Sequence, residues 1–215
     1  MKNLLYKEWR LAMHPTIPLF WGLSLMLFIP NYPYEVIFFY TALSLFFLCL
    51  SGRENSDIEY TLTLPVAKKD AVRARILFAV LTESVQLSLM LLIGFLRQAL
   101  GMGANQAGMD VNLSLFAFGL ALLGVFNHAF FTRYYRQPLK VGRAFAISSL
   151  WIFLLIALQE AAVFLLPFWR TKLDTPDPLF LPEKLLMLAL GLFGFLLLTL
   201  RGMKKAEKSF EALDL

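Results

Sequence analysis

The chain has 215 residues, 59% of them hydrophobic and only 16% charged, with a formal net charge of +5. Soluble domains are closer to half apolar and a quarter charged, so this balance excludes an ordinary soluble globule and indicates an integral membrane protein. The apolar runs are continuous rather than alternating, which excludes a β-barrel and sets the fold class as all-α. A lone cysteine, Cys49, excludes an intrachain disulfide framework.

The first segment, residues 1–15, contains "NLLYKEWRLAMHP". Leu5, Trp9, Ala12 and Met13 share one helical face, and Lys2, Lys7 and Arg10 lie mostly away from it. This pattern predicts an amphipathic interfacial helix. Leu5, Trp9 and Met13 would enter the acyl boundary, and Arg10 would meet the headgroups. The helix is expected to end at His14-Pro15, because a residue before proline disfavours helical geometry. It reads either as a plain anchor or as a lever at the bilayer surface. Its charges continue to Arg10 and no small-x-small cleavage site follows, so the first apolar run is expected to be a retained span.

Six spans are predicted, at residues 16–30, 35–51, 76–96, 111–131, 144–167 and 181–200. The first two are short for a hydrocarbon core that takes about 20 helical residues. Lys and Arg fall unevenly between them. One side carries Lys2, Lys7, Arg10, Arg53, Lys68, Lys69, Arg73, Arg75, Arg133, Arg136, Lys140, Arg143, Arg201, Lys204, Lys205 and Lys208. The other carries Arg97, Arg170, Lys172 and Lys184. The positive-inside rule then puts both termini in the cytoplasm, the last as a tail at 201–215. The net positive charge is accounted for by topology, and nucleic acid is not an expected partner.

Between spans two and three runs "RENSDIEYTLTLPVAKKDAVRAR", residues 53–75. Ser56 or Asp57 can cap a short helix. Ile58 and Leu62 share one face, and Tyr60 and Leu64 form a second apolar pair. Pro65 stops this helix and pushes Leu64 toward extended geometry. A second helix starts near Lys68–Asp70, and Arg73 and Arg75 can snorkel to headgroups from its first turns. The short helix suits docking into a groove on a soluble partner, and it equally suits a connector lying on lipid.

Charge or strong polarity inside hydrocarbon is costly and usually functional. Glu83, Gln86 and Glu160 are therefore candidates for a pathway that would bind a cationic amphipathic substrate. The alternative is hydrogen bonding that fixes packing between spans, which suits Gln86 and Asn127 better. No G-x-x-x-x-G-K-[ST] phosphate cradle occurs, nor a His-Glu-x-x-His motif or Cys cluster. No catalytic residue and no metal ligand is assigned, and His128 is read as an interfacial helix residue.

"LYKEWRLAMHP" followed by "RENSDIEYTLTLPVAKKDAVRARIL" resembles the small permease subunits of type-two ABC exporters. The likeness covers the architecture of essentially the whole chain, with the specific motif at 57–75. Within that family it is most similar to permeases of small Gram-positive peptide exporters, such as those that expel phenol-soluble modulins. The resemblance implies one transmembrane permease domain over 1–215, in which the helix between spans two and three is a cytoplasmic coupling helix. Asp57, Ile58, Glu59, Tyr60, Leu62, Leu64 and Pro65 would then lie at or beside the contact with a separate ABC ATPase. Two ATPase copies would bind the ATP and magnesium, so the chain itself would need no cofactor and would not be an enzyme. A second permease copy or a sister permease would complete the pathway for a hydrophobic or amphipathic substrate, expected to be a peptide. The competing readings are a non-transporting membrane scaffold or immunity protein and, ranked lower, a secondary transporter, which ordinarily shows broken spans near the midplane.

Overall fold

The computed structural model describes residues 1–213, and every described element is helical. Asp214 and Leu215, the end of the expected tail, lie outside the described residues. The helices are α1 (Lys2–Ala12), α2 (Thr16–Phe28), α3 (Val36–Glu54), α4 (Asp57–Thr63), α5 (Lys68–Ala99), α6 (Leu113–Tyr134), α7 (Val141–Leu165) and α8 (Leu181–Glu211). Five of them are long and apolar enough to cross a membrane, and α1 with α2 makes a sixth crossing if that bent pair is one span. The chain is thus an all-α protein of multi-pass membrane type.

The break between α1 and α2 is local and covalent in origin. Met13 is extended and Pro15 follows, and the two helix axes differ by 88°. His14 Nδ1 accepts the Thr16 amide at 3.2 Å, satisfying a free donor at the start of α2. α2 tightens to 3₁₀ geometry from Leu23 to Phe28, which lengthens its rise per residue to about 2.0 Å. That partly offsets the shortness of the first predicted span.

α6 is the axis of the bundle, and glycines let its neighbours close on it. Gly119 receives the Phe38 ring of α3. On α8, a Cβ at Gly191 would sit 2.2 Å from the Ala117 carbonyl oxygen, and one at Gly202 would sit 2.8 Å from the His128 Cα. Small residues of this kind allow backbone approach where no hydrophobic effect drives helices together. Asn112 caps α6 by accepting the Leu115 amide at 3.0 Å.

The spans alternate in direction, and contacts identify the two ends. At one end Arg73 on α5 meets Glu207 on α8 at 2.7 Å, and Lys68 reaches the Leu213 carbonyl at 2.5 Å. At the other, Arg97 on α5 meets the Leu27 carbonyl at the end of α2 at 2.8 Å. The segments predicted to be basic therefore do gather at one end. Within the expected tail, α8 continues unbroken to Glu211, with Ala206 and Phe210 buried. Between α7 and α8 a π-helical turn, Trp169–Leu173, occupies the connection.

Candidate interaction site at the basic end

α4 is seven residues long and stands outside the spans. Pro65 ends it as expected, with Leu64 extended and α5 beginning at Lys68. Its start differs from expectation. Ser56 makes no side-chain cap, and it sits in left-handed geometry at φ 50°, which a non-glycine residue rarely adopts. The Asp57 carboxylate is drawn away from the free amides by two stronger partners.

Those partners are Arg75 and Lys7. Arg75, expected at the headgroups, is instead 3% exposed. Its Nε donates to Glu8 and one terminal nitrogen donates to Asp57. Lys7 Nζ reaches Asp57 at 2.8 Å, Glu8 at 3.1 Å and the Thr61 hydroxyl at 2.8 Å. Two cations and two carboxylates thus form a balanced, nearly water-free square joining α1, α4 and α5. Burial raises the Asp57 pKa, but Arg75 and Lys7 outweigh it and hold the carboxyl below its ordinary value. Gly52 on α3 leaves room for the guanidinium, since a Cβ there would lie 2.8 Å from an Arg75 terminal nitrogen. Arg73, also expected at headgroups, pairs with Glu207 and, more distantly, Asp70 at 3.8 Å.

The seven candidate contact residues divide by face. Asp57 points inward with Thr61. Ile58 and Leu62 are half-buried against the core, and Leu64 is also half-buried. Glu59, Tyr60 and Pro65 point outward, Tyr60 being 52% exposed. Beside Ile58 and Glu59 a cavity of about 370 Å³ opens toward Pro138 and Leu139 in the α6–α7 connection. A short helix bearing a free aromatic and an adjoining cleft is a surface that another protein can grip.

On α1 the line facing the protein is Leu4, Glu8 and Ala12, of which Ala12 belongs to the expected apolar face. A π-helical turn covers Glu8–Ala12, with Glu8 and Ala12 buried. Leu5 and Met13 are half-buried beside that line, while Trp9 and Arg10 remain outward. Glu8, Lys7 and Thr61 are members of the site that the pattern of apolar residues does not show. The one available signal is an acid, Glu8, inside an otherwise cationic interfacial helix.

The membrane-embedded candidates are not brought together. Glu83 is fully buried and accepts from Asn127 at 3.0 Å, and Asn127 also donates to Thr199 at 3.3 Å, tying α5, α6 and α8. Gln86 donates to Ser24 of α2 at 2.7 Å. Glu160 lies near the opposite end, where its carboxyl would meet a Cβ placed on Gly108. Gln159 beside it donates to Glu35 at 2.9 Å. Glu83 and Gln86 thus serve contacts between spans, which is the packing role weighed against the pathway role. No cluster of metal-ligating side chains occurs among the described residues. No family model, curated protein or solved structure matches the chain.

Proposed function

We propose that the chain is the transmembrane subunit of an ATP-driven exporter for a hydrophobic or amphipathic substrate, a peptide being the leading class. In this reading the basic end faces the cytoplasm of a bacterial cell, as the positive-inside rule predicts. α4 docks on a separate ABC ATPase through Glu59, Tyr60 and Pro65, with Ile58, Leu62 and Leu64 beside them. A second permease copy or a sister permease, with two ATPases, completes the machine, and the ATPases hold ATP and magnesium.

The observation that carries the reading is α4 itself, a short surface helix clamped from behind by a buried ion-pair square. Closure of the ATPases would move α4 as a rigid body, and the square would pass the movement to α1 and α5. ATP can shift the pathway only through its differential affinity for the two states.

The test begins with the detergent-solubilised protein from its native membrane. An ABC ATPase is expected to co-elute, and Glu59→Lys with Tyr60→Ala is expected to release it while the permease stays monodisperse. Absence of any co-eluting ATPase from the wild type would defeat the proposal, and retention by the double variant would defeat the assigned face.

A further inference from the structure

α7 and α8 each pack on α6, yet neither packs extensively on the other. At the basic end this leaves a trough of about 470 Å³ floored by α6, with Trp151 of α7 and Leu198 of α8 on its walls. Along α6 the lining runs from Val125 to Thr132, and it continues past the helix end to Arg136. The helical part of the lining, Val125 to Arg133, rises about 12 Å, against about 15 Å for half of a ~30 Å hydrocarbon core. The trough is therefore about one leaflet deep.

Its two ends differ in chemistry. The apolar end is made by Val125, Trp151 and Leu198, and Trp151 is 48% exposed on the outer surface. The mouth carries Arg133, Arg136 and Lys205. None of these three cations has a carboxylate partner among the described residues, whereas Arg73, Arg75 and Lys7 at the same end all do. Between mouth and depth, Thr132 Oγ1 is buried and bonds to nothing. Arg133 donates to the Ala129 carbonyl at 2.9 Å and Lys205 Nζ lies 3.5 Å from His128 Nε2, which also lines the trough, so all three cations keep their charge uncompensated among the described residues. Three such cations above an apolar slot complement an amphiphile with an anionic head.

We propose that this trough holds one anionic phospholipid. Its phosphate sits among Arg133, Arg136 and Lys205, and an acyl chain runs along Trp151 and Leu198. Basic pockets between spans are recognised sites for anionic headgroups, each cation contributing modestly. A cationic amphipathic peptide would be repelled from this mouth, so the trough is separate from the proposed substrate pathway and does not depend on it.

The experiment is native mass spectrometry of the purified protein titrated with phosphatidylglycerol or with phosphatidylcholine of the same acyl chains. Phosphatidylglycerol is expected to bind roughly tenfold more tightly. Arg136→Gln with Lys205→Gln, both exposed positions, should bring it to the phosphatidylcholine level, and Arg136→Lys with Lys205 intact should preserve the preference. Trp151→Ala should weaken both lipids. Equal binding of the two lipids, or a preference unchanged in the double variant, would overturn the proposal. Full competition by inorganic phosphate or glycerophosphoglycerol would also overturn it, because the site would then take an anion without the chain.

Discussion

Both ends of the bundle bury an arginine from the same helix, and they hold it in opposite ways. Arg75 is matched by carboxylates from two other elements, Glu8 and Asp57. Arg97 is held by two carbonyl oxygens, of Leu27 at 2.8 Å and Gly103 at 2.6 Å, and by the Tyr34 hydroxyl. Nearby, Asn112 binds the Leu173 and Thr175 carbonyls at 2.8 and 3.0 Å, and Lys184 is buried against Asp177. The far end is stitched largely through backbone carbonyls, which anchors loops to helix ends. The basic end is tied through side-chain ion pairs between separate helices. Ion pairs of that kind can exchange partners as helices move, which suits an end proposed to receive force.

The contrast can be broken most strongly at Arg75. Arg75→Met leaves two buried carboxylates facing each other with only Lys7, and removing one member of a buried pair costs about 3–5 kcal/mol. Arg97→Met leaves neutral carbonyls, not charges, without their donor, with an expected cost of about 1–3 kcal/mol. Thermal unfolding of both variants in one detergent should rank them in that order. Equal losses would erase the distinction between the two ends.

Gly52→Ala should be next, because its Cβ meets the Arg75 guanidinium; overpacking typically costs about 1–3 kcal/mol. The same change at Gly142, where a Cβ meets nothing within 4 Å, should be close to neutral in the same melt. Acid sharpens the comparison further. Asp57 is held below its ordinary 3.8, so its contribution is full above that value and is lost as pH falls through the lowered folded value. Melting temperature should therefore fall as pH drops below about 4, and Asp57→Asn, already destabilised, should show a shallower fall. The smallest effects belong to the outer face of α4. Glu59→Lys should change stability by no more than about 0.5 kcal/mol, even where it abolishes partner binding. Ser56→Gly should stabilise by about 0.5–1 kcal/mol by relieving the left-handed backbone.

These tests also separate two kinds of residue in the 57–65 stretch. Asp57 reads from sequence as one more acid on a docking helix, and the pairing with Arg75 makes it a strut instead. Reversing its charge would damage the fold and the proposed interface together, so Glu59 and Tyr60 are the informative positions. The sixteen cations of the basic side divide in the same way. Arg75 and Lys7 are internal partners, Arg73 joins α5 to α8, and Arg133, Arg136 and Lys205 stand without carboxylates among the described residues. A topology count treats all of them alike, because it weighs charge and ignores direction.

Continuous apolar runs, the Pro15 and Pro65 stops and the bias in Lys and Arg determined by themselves an all-helical membrane chain, its span order, the α1–α2 break and a short helix before α5. Those features follow from solvent and from local backbone sterics, which act within a few residues. Which side of each helix turns inward was decided only by tertiary structure. Gly191 lets α8 close on α6, Gly52 leaves room for the Arg75 guanidinium, and Arg75 finds Glu8 from 67 positions away in the chain. A buried ion pair needs both partners in place before either can leave water, and that requirement is met only once the bundle has assembled.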